Sequence, residues 1–160
     1  MLEALQEFTA TVPALWQWAA IILVAAIPFV ESYFGSVLGV FAGLPLWIAV
    51  AAAVIGNIIS MLVFVFSADK ARQGVLARRG VDPNKYSKKR QRFLKLFNKY
   101  GIAGVSLLGQ TLLPSQITSA MLVSVTGQRN KVIGWQIVSI LLWGTAFGLL
   151  ATVGVITISG

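Results

Sequence analysis

Residues 46–66 read LWIAVAAAVIGNIISMLVFVF, and this stretch decides the fold class of the chain. It contains no charged residue and matches the length of about 20 apolar residues that a helix needs to cross a bilayer. Trp47 lies near one end, where indole rings favour the membrane–water interface. We therefore predict a transmembrane helix over 46–66, and another over 132–153 with Trp135 near its start.

The composition of the whole chain also points to a membrane protein. Of its 160 residues, 57% are hydrophobic and 11% are charged, and the mean hydropathy is +0.81, outside the range of ordinary soluble domains. This length allows one compact membrane domain, and homo-oligomerisation stays open. The chain has no cysteine and no histidine, which removes thiolate and imidazole chemistry and most transition-metal sites. We therefore expect no enzyme, no metal site and no other cofactor.

The basic residues are concentrated in one segment. Eleven of the thirteen lie between Lys70 and Lys99, and short basic loops resist translocation across a membrane. We therefore predict that the linker 67–100 is cytoplasmic. Because apolar stretches flank it on both sides, attraction to anionic lipid headgroups explains its charge more simply than nucleic-acid binding does.

Part of this linker, residues 86–100 (YSKKRQRFLKLFNKY), has apolar side chains at helical spacing. The positions i, i+3, i+4 and i+7 hold Phe93, Leu96, Phe97 and Tyr100. Such a pattern predicts a helix lying on the membrane surface. We expect a break at 82–84 (Asp-Pro-Asn) to separate it from an earlier helix near 68–79, which Gly80 ends. The residues predicted to bind headgroups are Lys88, Lys89, Arg90, Arg92 and Lys95.

Two further apolar stretches carry a proline and polar residues in their middle. Pro28 and Glu31 interrupt 27–44, and Pro114 lies in 101–125 among serine, threonine and glutamine residues. A straight helix would expose these groups to lipid, and a full crossing of 101–125 would place the following basic residues outside, against the positive-inside tendency. We therefore predict that both stretches enter the membrane and return. Whether 13–27 crosses separately or forms the first arm of a hairpin stays open.

Each half of the chain then contains a hairpin followed by a full span. Gly56 follows Pro28 by 28 residues, and Trp143 follows Pro114 by 29. Since the two halves open to opposite sides, we predict an all-α integral membrane fold of two inverted repeats. The first repeat is 1–66, the second is 101–160, and the basic linker 67–100 joins them. Transporters with such repeats hold their substrate between broken segments near the midplane.

Glu31 is the only charged residue inside the apolar stretches. Placing a carboxylate there costs at least about 2.5 kcal/mol on insertion scales, so we expect it to have a function. Burial penalises the charged form, which predicts that Glu31 exchanges protons and couples their movement to substrate movement. The alternative is a solvated residue at an interface turn.

Several other residues accompany these breaks. Ser32 follows Pro28, while Ser115 and Thr118 follow Pro114. We expect them to cap half-helices whose N-terminal ends favour an anionic group, although they could cap helices and bind nothing. Asn57 should face inward, either as a hydrogen-bonding contact between helices or as lining of the substrate path. Gly35, Gly39 and Gly43, at spacing four, predict a close helix-packing face.

The order of these motifs resembles the small multidrug export protein family, a relative of the DedA, or VTT, proteins. Pro28 precedes Glu31 by three residues, and the next predicted helix holds Gly56-Asn57. The second half is similar to the DedA pattern, and its motifs are Asn98-Lys99-Tyr100-Gly101, Gly109 with Pro114, and Trp143-Gly144. The match as a whole covers about residues 20–153.

The resemblance implies two oppositely oriented re-entrant hairpins that meet in the membrane. Among DedA relatives it further implies proton-dependent movement of phospholipids or polyprenyl phosphates between leaflets, and we accordingly expect the inner membrane of a bacterium. The chain departs from the pattern, because Thr111 and Ile117 occupy positions where DedA proteins place arginines. The first hairpin also lacks the second acidic residue of that pattern. Without arginine, a bidentate phosphate ligand is missing, and a proton or cation site at Glu31 is better supported.

The predicted function is a small transporter or flippase/scramblase-like protein that moves lipids, polyprenyl phosphate or amphipathic compounds and responds to protons through Glu31. Its partners would be membrane lipids, its substrate and protons, and no nucleic acid. The residues predicted for the substrate and proton site are Pro28, Glu31, Ser32, Tyr33, Asn57, Gln110, Pro114, Ser115, Gln116 and Thr118. The alternative is a membrane-anchored interaction or scaffold subunit that uses its basic surface helix.

Overall fold

A computed structural model of the protein describes residues 2–77, 88–110 and 113–159. Every regular element within these ranges is helical, which confirms the predicted all-α class. After a 3-10 turn at Ala14–Trp16, which follows α1, the chain forms six more α-helices. The seven helices are α1 (Leu2–Thr11), α2 (Gln17–Ala25), α3 (Glu31–Phe41), α4 (Leu46–Ala77), α5 (Lys88–Gly109), α6 (Ser115–Thr126) and α7 (Arg129–Ser159).

Two of these helices are long and apolar enough to cross a membrane. The candidate spans are Leu46–Gly74 in α4, with 29 residues, and Arg129–Val155 in α7, with 27. The helices predicted over 46–66 and 132–153 are confirmed, and both continue beyond those limits. In particular, the stretch near 68–79, which we assigned to the linker 67–100, continues α4 without interruption as far as Ala77. Gly80 and the expected break at 82–84 lie outside the described residues.

Two short helices, α2 and α3, precede α4. They contain 9 and 11 residues, which corresponds to about 14 and 16 Å of helix, about half of the roughly 30 Å hydrocarbon core of a bilayer. Residues 26–30 connect them and include Pro28. Gly35 of α3 lies against Ala25 of α2, so the two helices pack as a hairpin; that this hairpin enters a membrane stays a prediction.

The predicted glycine packing face is confirmed at two of its three positions. A methyl group on Gly35 would lie 2.7 Å from the Cβ of Ala25 in α2, and one on Gly39 would lie 2.7 Å from the Cβ of Ala49 in α4. Gly43 has a different role. It adopts φ +88° in the turn before α4, and no heavy atom lies within 4 Å of the position of its missing Cβ. It is therefore a turn residue and not a packing residue.

A second pair of short helices precedes α7. Helix α5 breaks at Gly101, where the backbone has φ 66° and ψ −169°, so that 102–109 forms a separate short arm. The other arm, α6, has 12 residues. Gly109 lies against Thr118, whose Cγ2 would be 3.1 Å from an added Cβ. The order of two short helices followed by one long helix thus occurs twice in the chain.

The chain divides into two compact units. Unit one comprises Met1–Met61 and Ile137–Gly160, and unit two comprises Leu62–Gln136. A buried apolar cluster holds α2, α3 and α4 together in unit one. Its members are Ile21, Val24, Ala25, Val30, Leu38, Ala52 and Ala53. The division of the sequence into two repeats and a linker stays a prediction.

Candidate functional site

Glu31 is the first residue of α3, and its side chain is 0% exposed. Its backbone adopts φ +55°, and Phe29, two residues earlier, adopts φ +74°. Among the described residues these are the only non-glycine positions with positive φ. Such conformations cost of order 1–3 kcal/mol each and persist where the surrounding structure holds them. The turn that carries the predicted proton site is therefore strained at two of its residues.

Ser32 and Ser36, both fully buried, follow Glu31 in α3. The Ser32 hydroxyl donates a hydrogen bond to the Ile140 carbonyl of α7, at 2.9 Å, and the Ser36 hydroxyl donates to the Tyr33 carbonyl at 2.9 Å. The expectation that Ser32 caps a half-helix is wrong, because α3 starts with no side-chain capping bond. Its hydroxyl connects two helices of unit one instead.

The glycines of the predicted motifs are points of close helix approach in unit one. A Cβ on Gly56 would overlap the carbonyl oxygen of Ile22 in α2, and one on Gly144 would lie 3.1 Å from the Cβ of Ser32. Asn57, next to Gly56, is fully buried as predicted. Gly148, which is not among the predicted motifs, lies against Val50 of α4, and its spacing of four from Gly144 is a known packing signal.

Four aromatic side chains form a chain of ring contacts beside this turn. Tyr33 and Phe34, next to each other in α3, have ring centroids 4.8 Å apart. Tyr33 also lies 5.5 Å from Phe147, which lies 6.1 Å from Trp143. All four are partly exposed. Only Tyr33 was predicted for the site, because nothing in the sequence relates residues of α3 to a helix more than 100 positions later.

The polar residues around Pro114 are buried in unit two. Gln110, Ser115, Gln116 and Thr118 are at most 5% exposed. The Ser115 hydroxyl donates to Gln116 Oε1 at 3.4 Å, and the Thr118 hydroxyl donates to the Leu113 carbonyl at 3.4 Å. The expectation that Ser115 and Thr118 cap α6 is wrong, because Pro114 occupies the N-cap position and no side chain bonds there. Thr111 lies outside the described residues.

The predicted site residues thus fall into two sets. Pro28, Glu31, Ser32, Tyr33 and Asn57 belong to unit one. The set in unit two comprises Gln110, Pro114, Ser115, Gln116 and Thr118. A common substrate site for both sets stays a prediction.

The segment predicted to be a basic surface helix is helical over 88–100, and its position on a membrane surface stays a prediction. Phe93 is buried there, while Leu96 and Tyr100 are about 40% exposed. Lys95 is exposed, and the Lys99 ammonium lies 5.0 Å from the centroid of the Tyr100 ring. The side chains of the other predicted headgroup ligands lie outside the described ones; these are Lys88, Lys89, Arg90 and Arg92.

Comparison with protein-family models, curated proteins and solved structures finds no match to this chain. The resemblance to the small multidrug export and DedA proteins therefore depends on the sequence motifs alone.

Proposed function

We propose that this protein is a small integral membrane transporter, or a flippase/scramblase-like protein, in which Glu31 is the proton-responsive group. Its substrates would be lipids, polyprenyl phosphates or amphipathic compounds. The single observation that carries the proposal is the state of Glu31, a fully buried carboxylate on a left-handed backbone.

The surfaces of the long helices support placement in a membrane. Large apolar side chains are exposed along one face of α4, where Ile55, Ile59 and Val63 recur at spacing four. Leu142, Leu149 and Val153 are similarly exposed on α7. Trp47 is 73% exposed next to the start of α4, at a position suited to a membrane interface. Water would disfavour such continuous apolar faces, whereas lipid would cover them at no cost.

Two unfavourable terms coincide at Glu31. A carboxylate within an apolar stretch of the sequence costs at least about 2.5 kcal/mol on insertion scales, and a left-handed non-glycine residue costs of order 1–3 kcal/mol. A structural residue at this position would need neither, because glycine would adopt the same φ without a charge. Coincidence of both costs at one position is typical of functional sites and supports a role in proton exchange.

The surroundings of this carboxylate favour a cationic or amphipathic substrate over a phosphate. Phe34 lies one helical turn after Glu31, and the connected rings of Tyr33, Phe147 and Trp143 extend from it. Aromatic faces attract cations and bury apolar groups. In the second half, the positions where an arginine pair would bind phosphate hold Thr111 and Ile117.

The repeated order of two short helices and one long helix supports the proposed inverted repeats. Helices too short to cross, such as α2 and α3, are expected to enter and leave the membrane on one side. With the linker 67–100 in the cytoplasm, the first hairpin would open outward and the second inward. This topology fits the inner membrane of a bacterium.

The alternative function, a membrane-anchored interaction subunit, draws on the basic surface helix. The apolar side chains of Leu96 and Tyr100 are exposed on this helix, and so are the neighbouring Lys95 and Lys99. In that case substitution of the basic residues would abolish function, and substitution of Glu31 would not.

The test is flux through purified protein in liposomes with an imposed pH gradient. A labelled phospholipid, a polyprenyl phosphate and a cationic dye are offered in turn. We expect at least one of them to move, and we expect Glu31→Gln, which keeps the shape of the side chain, to abolish dependence on the pH gradient. Glu7→Gln is the matched control, because it makes the same change at an exposed position of α1.

Two results would contradict the proposal. The first is that none of the three probes moves at any pH gradient, although the protein is folded by circular dichroism. The second is that Glu31→Gln moves them with unchanged pH dependence. If charge reversal at Lys95 and Lys99 then removes membrane recruitment of a soluble partner, the alternative function is favoured.

A further inference from the structure

Unit two contains a recess of about 500 Å³ that the predicted site does not include. The residues that line it come from the C-terminal part of α4 and from the junction between α6 and α7. Among them are three basic side chains, those of Arg72, Arg129 and Lys131, and one acidic side chain, that of Asp69. Three positive charges minus one negative charge leave an excess of two positive charges in the lining.

The single carboxylate is already engaged by its neighbours. Asp69 Oδ2 accepts a hydrogen bond from Arg129 Nη1 at 3.1 Å and another from Gln73 Nε2 at 3.2 Å. The guanidinium of Arg129 also lies 5.3 Å from the centroid of the Phe66 ring. Its side chain is 42% exposed in spite of these contacts. Arg129 is thus fixed in place and still offers donors to the recess.

Arg72 is positioned by a different contact. Its guanidinium lies against the α-carbon of Gly127, so that an added Cβ would be 2.7 Å from Cζ and Nη2 and 2.8 Å from Nη1. Gly127 ends α6 with φ +66°, a conformation that glycine adopts without strain. The glycine therefore supplies both the helix end and the space in which the planar group of Arg72 lies. In the part of the chain that the structure describes, Asp69 accepts hydrogen bonds from Arg129 and Gln73 and not from Arg72.

The recess lies where both candidate spans end. Arg72 belongs to the last turn of the span Leu46–Gly74, and Arg129 begins the span Arg129–Val155. Phe66 and Trp135, both at least 40% exposed, follow at the next turns toward the apolar part of each helix. Cations followed by exposed aromatic side chains toward the apolar part of a helix are typical of the level at which phospholipid headgroups lie.

We propose that this recess binds a phosphate group. Two guanidinium groups fit this ligand, because their planar N–H donors bond phosphate oxygens in pairs, and Lys131 adds a third cation. The phosphate can belong to the headgroup of an anionic lipid or to free phosphate, since the chemistry of recognition is the same. This site is separate from Glu31 and does not depend on transport.

Titration calorimetry of the full detergent-solubilised chain tests the proposal. The probes are a short-chain phosphatidylglycerol, a short-chain phosphatidylcholine and inorganic phosphate. We expect phosphatidylglycerol or inorganic phosphate to bind, and Arg72→Gln to weaken that binding about tenfold, as loss of a charged hydrogen-bond donor does. Binding of phosphatidylglycerol that is tighter than binding of phosphatidylcholine and of inorganic phosphate identifies an anionic lipid headgroup as the ligand. Binding of inorganic phosphate that is as tight as that of phosphatidylglycerol, or tighter, identifies the free anion.

Two further variants separate recognition from folding. Lys70→Gln removes the same charge from the same helix at an exposed position outside the lining, and we expect it to change the affinity less than about twofold. Asp69→Asn removes the competing carboxylate, and we expect it to raise the affinity, which a merely structural ion pair would not do.

The proposal is overturned if neither phosphatidylglycerol nor inorganic phosphate binds, or if Lys70→Gln weakens binding as much as Arg72→Gln. It is also overturned if Asp69→Asn, while still folded, lowers the affinity. The measurement is equilibrium binding and not flux, so that failure of the transport proposal and failure of this one are distinguishable.

Discussion

Replacement of Gly56 by alanine should weaken the fold at the contact between α2 and α4. A methyl carbon there would overlap the Ile22 carbonyl oxygen and lie 2.8 Å from the Ile22 carbonyl carbon, whereas carbon atoms pack best at roughly 3.5–4.0 Å. Because the obstacle is backbone, it cannot rotate away like the end of a side chain. Helix α2 would have to move by most of an ångström.

The expected loss of stability follows from two opposing terms. Overpacking of a close contact costs up to about 3 kcal/mol, and alanine gains about 1 kcal/mol over glycine in a helix. Gly56→Ala should therefore destabilise the protein by about 2 kcal/mol, or lower Tm by roughly 4–8 °C at this chain length. Gly74→Ala, at a position of α4 with no heavy atom within 4 Å of the added Cβ, should instead stabilise it by about 1 kcal/mol.

The measurement is thermal unfolding of both variants in the same detergent, followed by circular dichroism. Replacement of glycine by alanine in α4 should thus lower Tm at position 56 and raise it at position 74. Equal Tm shifts for the two variants, or a higher Tm for Gly56→Ala, would refute the close approach of α2 and α4.

Two further substitutions test buried polar groups. Ser32→Ala removes the hydrogen bond to the Ile140 carbonyl and should lower the free energy of unfolding by about 1 kcal/mol in the same assay. Ser36→Ala, which removes a bond local to α3, is its control and should change that free energy by less than about 0.5 kcal/mol. Equal losses of stability in the two variants would contradict the interhelical role of Ser32. Gln136 is 0% exposed, and neither polar atom of its amide has a hydrogen-bond partner among the described residues. Gln136→Leu should therefore raise Tm, since it removes about 1–3 kcal/mol of desolvation cost, and a lower Tm would show that the amide has a partner.

The sequence predicted those parts of the fold that depend on local pattern. Long, predominantly apolar stretches without charged residues predicted α4 and α7, and Gly35 and Gly39 at spacing four predicted close packing. The predicted helix 46–66 ends too early, because the change from apolar to polar residues after Phe66 marks the end of the apolar span and not the end of α4. Helix propensity does not change there, since alanine, lysine, arginine and glutamine are all good helix formers.

The details of the candidate site could not be predicted in the same way. The left-handed backbone of Phe29 and Glu31 has no sequence signal, because such φ values are expected at glycine, asparagine or aspartate. Ser32 was expected to cap its own helix, yet its acceptor is 108 residues away. The hydroxyl of a serine after a helix break can bond either to the backbone of its own helix or to a neighbouring helix, and only tertiary packing decides between the two.

Close helix packing in unit one explains how the strained turn at Phe29 and Glu31 can persist. The helices on both sides of the turn make close contacts, because Ile22 of α2 lies against Gly56 and Ser32 of α3 lies against Gly144. Such tight packing transmits displacement instead of absorbing it, so the positions of α2 and α3 are fixed, and the connection together with the first residue of α3 must close the remaining gap. Phe29 and Glu31 take the positive φ values that this closure requires. The conformation of the proposed proton site therefore depends on the close packing at Gly56 and Gly144.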